Sequence, residues 1–286
     1  MLQDPRGALE DTVPAQRSIT LRDLLTFTLG LGHILPWGDA PIMKACQERG
    51  ILTGPPQPDR TPEPNEWMRR LGELPLAYQP GERWLYDLGT DVAGVLISRA
   101  AGQSLGAFMQ ERIFDPLGMT DTAFFVPEAK IDRLATSYAN GVYDEARGGQ
   151  WSRPPAFPSG SAGLVSTVDD YHAFCRMLLD RGERILSRAS VELLTANQLS
   201  AGQREGTELF LGTDKGWGFG MAVVTRRGHL SSVPGRFGWD GGLGTSAHTD
   251  PVEGLIGILM TQQAFPSPKG APLFDDFWVQ AYAAIE

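Results

Sequence analysis

The side chains that most often perform catalysis or bind metals are few in this sequence and widely separated. Its four histidines show neither an HxH nor an HExxH pattern, so no metal site is predicted. They are His33, His172, His229 and His248. The cysteines, Cys46 and Cys175, form no CxxC pair and cannot build a disulfide framework. A Gly-x-Ser-x-Gly nucleophile turn is absent too, because Gly160-Ser161-Ala162-Gly163 has the wrong spacing.

Composition narrows the classes of partner. The 286 residues carry a net charge of −9, and phosphate binding needs clustered Lys and Arg, so no nucleic-acid partner is predicted. No stretch of 18 apolar residues occurs, so we expect no membrane span. The first residues lack the basic start and apolar run of a signal peptide, which indicates a cytoplasmic location for this chain. The compartment of the complete protein stays open.

Hydrophobic periodicity changes along the chain. Thr20 and Thr167 each open a predicted helix with an acid three residues later, the pattern of a capping box. The other helices are predicted at about 42–49, 65–71, 90–101, 104–113 and 187–196, and a last one begins at Pro272. Strands are predicted at 217–223, 244–249 and 255–261. We therefore expect a mainly helical region over residues 1–205, then antiparallel strands and a closing helix over 206–286.

Five segments stand in one order along the chain. They are ITLRDLLTFT (19–28), QPGERWLYD (79–87), IFDPLGMTDT (113–122), SAGLVSTVDD (161–170) and FGWDGGLGT (237–245). Together they resemble motifs of the penicillin-recognising serine hydrolases, a family of class C β-lactamases, DD-peptidases and β-lactamase-like esterases. The resemblance implies an α/β (α+β) fold of the β-lactamase/transpeptidase type, with a helical domain beside an antiparallel sheet flanked by helices. It also implies hydrolysis through an acyl-enzyme, without a metal or organic cofactor.

The resemblance also assigns two catalytic positions. Tyr86 matches the family tyrosine that relays a proton, since a phenol with a pKa near 10 becomes useful beside fixed positive charge. Leu88 stands where the family has the asparagine of Tyr-x-Asn, so recognition of a substrate amide from that position is lost. The backbone N–H of Gly242 is the predicted oxyanion donor.

Four further residues are predicted to bind substrate. Trp239, Asp240 and Gly241 stand at the family's Lys/His-Thr-Gly triad, and Asp87 follows the tyrosine. The triad position supplies no cation for a substrate carboxylate, which favours a neutral ester or amide over a β-lactam. Simpler interpretations stay open: Asp87 as a helix N-cap, Trp239 as a packing residue, and the glycines as sites of close strand approach.

The nucleophile motif of the family is Ser-x-x-Lys, and this sequence does not contain it. The four lysines have Pro41, Pro127, Gly212 and Pro266 three residues before them. We therefore expect the N-terminal part of the fold to be missing and the chain to be inactive as written. Two alternatives are a natural pseudoenzyme or binding module that keeps the cleft, and a half-enzyme completed by another chain. An exposed core would favour self-association.

Overall fold

The structure is a computed structural model that describes residues 1–35, 38–52, 54–266 and 272–285. The chain divides into two compact units. Unit 1 comprises Met1–Leu105, Pro155–Gly163 and Leu199–Thr207, and unit 2 comprises Gly106–Pro154, Leu164–Gln198 and Glu208–Glu286. The predicted boundary at residue 205, between a mainly helical region and one of antiparallel strands with a closing helix, stays a prediction.

Helices and connecting loops make up unit 1. Its helices are α1 (Leu21–Leu25), α2 (Pro41–Glu48), α3 (Pro64–Gly72) and α4 (Gly89–Ala101), with a 3₁₀ turn at Gly202–Arg204. Their apolar faces enclose one core, whose fully buried members include Leu31, Ile42, Trp67 and Leu88. Leu96 of α4 is 45% exposed, because the buried face of this helix runs through Ala93 and Val95.

The capping box on α1 is confirmed. The Thr20 hydroxyl accepts from the Asp23 N–H, and the Asp23 carboxylate accepts from the Thr20 N–H at 2.8 Å. Arg17 completes the arrangement by donating to both Asp23 oxygens, at 2.7 and 2.8 Å. A helix of five residues has too few internal hydrogen bonds to be stable alone, so these caps define where it begins.

Helix α3 begins one residue before its predicted range of 65–71. Its N-cap is Glu63, because Pro64 fits the first helical position and the Glu63 carboxylate accepts from the N–H groups of Asn65 and Glu66. At the start of α4 the N-cap is Leu88, with no side-chain hydrogen bond, so Asp87 is not a helix cap. The end of α4 at Gly102 is confirmed by its left-handed φ of 67°.

Unit 2 combines helices with an antiparallel sheet. The helical elements are α5 (Leu105–Met109, whose first residue ends a segment of unit 1), a π-turn (Gln110–Phe114), α6 (Asp115–Leu117), α7 (Val168–Leu179), α8 (Arg188–Leu194), α9 (Glu208–Leu211) and α10 (Pro272–Ala283), with 3₁₀ turns at Glu128–Arg133 and Gln150–Ser152. Thr167 caps α7 as predicted, but Asp170 does not complete a capping box. Its carboxylate accepts from the Asp121 N–H and the Thr122 hydroxyl instead.

The sheet of unit 2 has five strands in sequential order. They are β3 (Lys215–Trp217), β4 (Ala222–Val224), β5 (Phe237–Gly241), β6 (Thr245–Asp250) and β7 (Leu255–Met260), and every neighbouring pair is antiparallel. A separate antiparallel pair consists of β1 (Ser137–Tyr138) and β2 (Val142–Asp144). The strand predicted at 217–223 is instead a hairpin, because Gly218 donates to Met221 and Gly220 takes a φ of 87°.

Helix α10 packs on this sheet through Trp278 and Tyr282, whose side chains hydrogen-bond to Ser246 and Asp250 of β6. Phe274 is buried as well, with its ring against that of Phe265. Among the residues that the structure describes, no single helix is long and apolar enough to cross a membrane; one bent pair passes by length and composition alone.

Candidate active site

Tyr86 lies in residues 84–87, called the tyrosine segment here, which backbone hydrogen bonds hold against the loop after α1. Leu85 donates to the Phe27 carbonyl at 2.8 Å, and His33 donates to the Tyr86 carbonyl at 3.0 Å. Gly32 permits this approach, since a Cβ there would lie 2.7 Å from the Tyr86 oxygen. The position of the tyrosine is therefore determined by main-chain contacts on both sides.

Three rings surround the half-buried Tyr86 ring. The centroids of Phe27, Trp84 and His33 lie 5.8, 5.9 and 6.2 Å from that of Tyr86. The Phe27 ring meets it edge-on, while the His33 ring is inclined by only 27°. Such pairs favour one ring orientation, so the phenol is presented in a defined direction.

Asp87 takes an unusual backbone conformation directly after the tyrosine. Its φ of 95° is disfavoured for a residue with a side chain, and such residues concentrate at functional sites. Its Oδ2 lies 3.8 Å from His33 Nε2, and the Ser161 hydroxyl is 3.3 Å from its carbonyl. Burial raises the pKa of Asp87 to about 6 and lowers the pKa of His33.

A second acid lies one helical turn further along α4. Asp91 accepts from the Ser159 hydroxyl at 2.6 Å and from the Ser161 N–H at 3.3 Å. Burial raises its pKa to about 7, and the negative charge of Asp87 raises it further. Asp87 and Asp91 thus form a pair of carboxyls that resist ionising together.

The tyrosine segment borders a cavity of about 230 Å³ in unit 1. Trp84 and His33, which both pack on the Tyr86 ring, line it together with Tyr78. The ion pair between Arg83 and Glu205, 2.9 Å long, stands on its wall. This cavity has room for a small organic group.

The other predicted site residues, Trp239 to Gly242, form what is called the WDGG segment here, at the end of β5 in unit 2. Trp239 is half-buried and meets the Trp217 ring edge-on, with centroids 4.9 Å apart. Side chains alternate between faces along a strand, so Asp240 points to the opposite face of the sheet from Trp239. Trp239 therefore packs against Trp217, as a packing residue would. Its substrate-binding role stays a prediction.

Asp240 has its hydrogen-bond partners within the sheet. Its Oδ1 accepts from the Ser246 hydroxyl at 2.5 Å and lies 3.0 Å from His248 Nε2. Burial alone would raise the pKa of Asp240, but the hydrogen bonds from His248 and Ser246 and the nearby positive charge hold it at about 2. Burial lowers the pKa of His248 to about 4 despite the neighbouring carboxylate. At neutral pH an ionised Asp240 thus accepts from a neutral imidazole.

The two glycines of the WDGG segment differ in the space that a side chain would have at each position. Gly241 pairs with Thr245, and a Cβ there would lie 2.4 Å from the Thr245 hydroxyl, so any side chain at position 241 would displace that hydroxyl. Gly242 is exposed, and a Cβ there would have nothing within 4 Å. The peptide that carries the Gly242 N–H is oriented by the hydrogen bond from the Gly244 N–H to the Gly241 carbonyl at 2.9 Å, and the following peptide by the bond from the Phe265 N–H to the Gly242 carbonyl at 2.9 Å. Packing does not explain a glycine at position 242, and its oxyanion role stays a prediction.

The structure brings Tyr86 and Asp87 together in unit 1, and Trp239, Asp240, Gly241 and Gly242 together in unit 2. Leu88 is completely buried in the core of unit 1, so its side chain cannot take the place of a substrate-binding asparagine. No motif in the sequence marks His33 or His248 as a neighbour of the predicted site residues. A strand register would have found His248, because it lies on the same face of β6 as Ser246, the residue opposite Asp240. Among the described residues, no group of three or more His, Cys, Asp or Glu could hold a metal.

The mixed architecture and the antiparallel sheet of unit 2 define a fold of the β-lactamase and penicillin-binding-protein class. The family model named Beta-lactamase matches residues 3–276, so the chain belongs to the β-lactamase-related family.

Relatives with curated names lie within the same family. Protein Rv1367c of Mycobacterium tuberculosis is 36% identical over 281 residues, which cover 92% of this chain and 67% of that protein. Esterase EstB of Burkholderia gladioli is 30% identical over 277 residues, covering 88% of this chain and 67% of the esterase. The solved structure of EstCE1, a hydrolase with promiscuous acyltransferase activity, superposes with a TM-score of 0.73 at 24% identity, covering 97% of this chain and 74% of that one.

Proposed function

We propose that this chain supplies the proton-relay and substrate-binding residues of a β-lactamase-related esterase or acyltransferase that acts on neutral esters. The residues of the WDGG segment support the choice of a neutral ester as substrate. Where an anionic substrate would need a cation, the chain presents the Trp239 ring, and the Asp240 carboxylate points to the other face of the sheet, where it is hydrogen-bonded to Ser246 and His248. A negatively charged acyl group would find no cation to pair with in this segment.

Tyr86 is the proposed proton relay. A serine hydroxyl attacks the ester carbonyl, its proton passes through the Tyr86 phenol, and the leaving alcohol takes up that proton as the C–O bond breaks. The Gly242 N–H donates to the carbonyl oxygen while it carries negative charge. The fixed main chain around Tyr86 supports this assignment, because a relay must hold its oxygen within hydrogen-bond distance of both partners.

The serine must come from outside these residues. No lysine of the chain has a serine three positions before it, so the nucleophile and its ammonium neighbour are not encoded here. We therefore propose that this chain alone forms no acyl-enzyme. A pseudoenzyme that binds esters and a half-enzyme completed in trans share this property, and both retain the ester-binding residues.

One experiment tests the acyl-enzyme statement. The purified chain is incubated with nitrocefin and with p-nitrophenyl butyrate, and its intact mass is measured. We expect no turnover above that of the Tyr86→Phe variant and no added acyl mass. A butyryl adduct on any serine would contradict the proposal.

A second experiment tests ester binding without catalysis. Saturation-transfer NMR compares neutral phenyl butyrate with the anionic monophenyl succinate, on the wild-type chain and on Trp239→Ala. We expect the neutral ester to bind at least tenfold more tightly than the anion, and the substitution to weaken its binding about tenfold. Equal binding of both ligands, or an unchanged affinity in Trp239→Ala, would refute the assignment of the WDGG segment.

A further inference from the structure

A polar cluster lies on the face of the unit 2 sheet opposite Trp239. Asp240 of β5 accepts from Ser246 and His248 of β6, at 2.5 and 3.0 Å. The Trp278 indole of α10 donates to the Ser246 hydroxyl at 2.9 Å. The cluster therefore links two strands and a helix through three hydrogen bonds.

The two carboxylate contacts follow the strand register. Asp240 pairs directly with Ser246, whereas His248 lies two residues further along β6, opposite Gly238. Gly238 leaves room for this diagonal contact, because a Cβ there would lie 2.8 Å from the imidazole Cγ. A shift of one residue between β5 and β6 would break both contacts and turn Trp239 to the other face.

The helix side of the cluster is held equally closely. The His248 and Trp278 rings meet edge-on with centroids 5.1 Å apart, and the Arg236 guanidinium lies 3.9 Å from the Trp278 ring centre. On the next strand Gly257 provides the space for the indole, since a Cβ there would lie 2.4 Å from it. Trp278 consequently cannot move without disturbing the sheet.

Stability alone does not explain so polar a cluster. Ser246 is 1% exposed and His248 is 7% exposed, and burying polar groups costs free energy that their hydrogen bonds only offset. Apolar side chains of similar size often serve stability as well as a buried charged pair does. What the hydrogen bonds add is a single allowed register for the strand that ends in Gly241 and Gly242.

We propose that Asp240 and His248 are positioning residues: their hydrogen bond fixes the register of β5 so that Trp239 and the Gly242 amide face the ester. This inference rests on the proposed function, and it assigns Asp240 to the support of the WDGG segment rather than to substrate contact. Neutral His248 donates its Nε2 proton to Asp240.

The experiment uses two pairs of variants. His248→Leu and Asp240→Ala remove the hydrogen bond, whereas His248→Gln and Asp240→Asn keep a donor and an acceptor in place. For each we measure the amide resonances of glycine-labelled protein, the ring nitrogen shifts of His248 where it is present, and the Kd for phenyl butyrate. Removing the bond is expected to shift the Gly241 and Gly242 amides and weaken ester binding at least tenfold, and the conservative variants to restore both to within about threefold of wild type.

Several results would overturn the proposal. Wild-type glycine resonances and affinity in His248→Leu would do so, and so would an unmoved His248 ring shift in Asp240→Ala. If a variant that removes the bond does not fold, failure of His248→Gln to restore the glycine resonances is equally decisive. If the wild-type chain binds no ester, the proposed function fails, while the glycine and imidazole resonances still decide whether the cluster fixes the register.

Discussion

His33 and Tyr86 lie side by side on two antiparallel segments, joined by the hydrogen bond from the His33 N–H to the Tyr86 carbonyl at 3.0 Å. Their rings are 6.2 Å apart, and the same imidazole lies 3.8 Å from Asp87. One residue thus contacts both members of the predicted Tyr86-Asp87 pair. Substitutions that alter this contact are therefore expected to act on the tyrosine as well.

The close approach at Gly32 gives the first prediction. Gly32→Ala would place a methyl group 2.7 Å from the Tyr86 carbonyl oxygen and 2.8 Å from that of Leu85. We expect a loss of about 1–3 kcal/mol in the free energy of unfolding, as for other overpacked sites. Gly72→Ala is the control, because its Cβ would meet nothing within 4 Å and alanine favours a helix. Urea titration measures both, and equal stability of the two variants would contradict the prediction.

The buried acid pair predicts a pH dependence. The folded-state pKa of Asp91 is about 7, above its ordinary value of 3.8, so folding disfavours its ionised form. The stability associated with the neutral carboxyl is present below about pH 4 and is lost as the pH rises through 7. Asp91→Asn keeps the hydrogen-bond acceptor for Ser159 without the charge. We expect its Tm to exceed that of wild type by about 3 °C at pH 8, with the difference vanishing at pH 4.

Asp121→Asn is the matched control for that experiment. Hydrogen bonds from Lys130 and Arg133 lower the pKa of Asp121. The ionised Asp121 therefore stabilises the fold, and removing its charge is expected to have the opposite effect to removing that of Asp91. It is expected to lower the Tm at neutral pH rather than raise it. A lower Tm for Asp91→Asn at pH 8 would show that Asp91 is ionised without penalty.

The caps of α1 predict a second pH effect. Burial alone would raise the pKa of Asp23, but hydrogen bonds from Arg17 and Thr20 hold it at about 2. The resulting stability is present above about pH 4 and is lost as the pH falls towards 2. Thr20→Ala is expected to cost about 1 kcal/mol at pH 7. Lys44→Ala, which removes only an exposed pair with Glu48, is expected to stay within about 0.5 kcal/mol.

The edge strand β7 leads to a prediction about association. Its sequence, Leu-Ile-Gly-Ile-Leu-Met, is apolar throughout, and it pairs only with β6 among the strands that the structure describes. Edge strands that resist association usually carry a charge or a proline. We expect the chain to self-associate, and Met260→Lys to reduce this in light scattering more than Val252→Lys, which lies outside the strand. A monomer that melts sharply above about 60 °C would count against it.

Local signals predicted much of the fold. Thr20, Gly102 and Pro272 mark helix boundaries correctly because capping and backbone conformation act within a few residues. The hairpin at 215–224 was missed because alternation looks the same in one strand as across a tight turn. The family resemblance located Tyr86 and the WDGG segment. The resemblance could not reveal the hydrogen-bond partners of Asp240. Those partners depend on the register of β5 against β6, and one of them, Ser246, is held by a helix more than 30 residues further along the chain.

The burial of Leu88 bears on redesign. Restoring an amide-binding asparagine at this position would put a polar group into the apolar interior rather than into contact with an antibiotic. Converting this scaffold into a penicillin hydrolase would therefore require remodelling the main chain between the tyrosine and α4, because polar substitutions at position 88 alone are expected to destabilise the core.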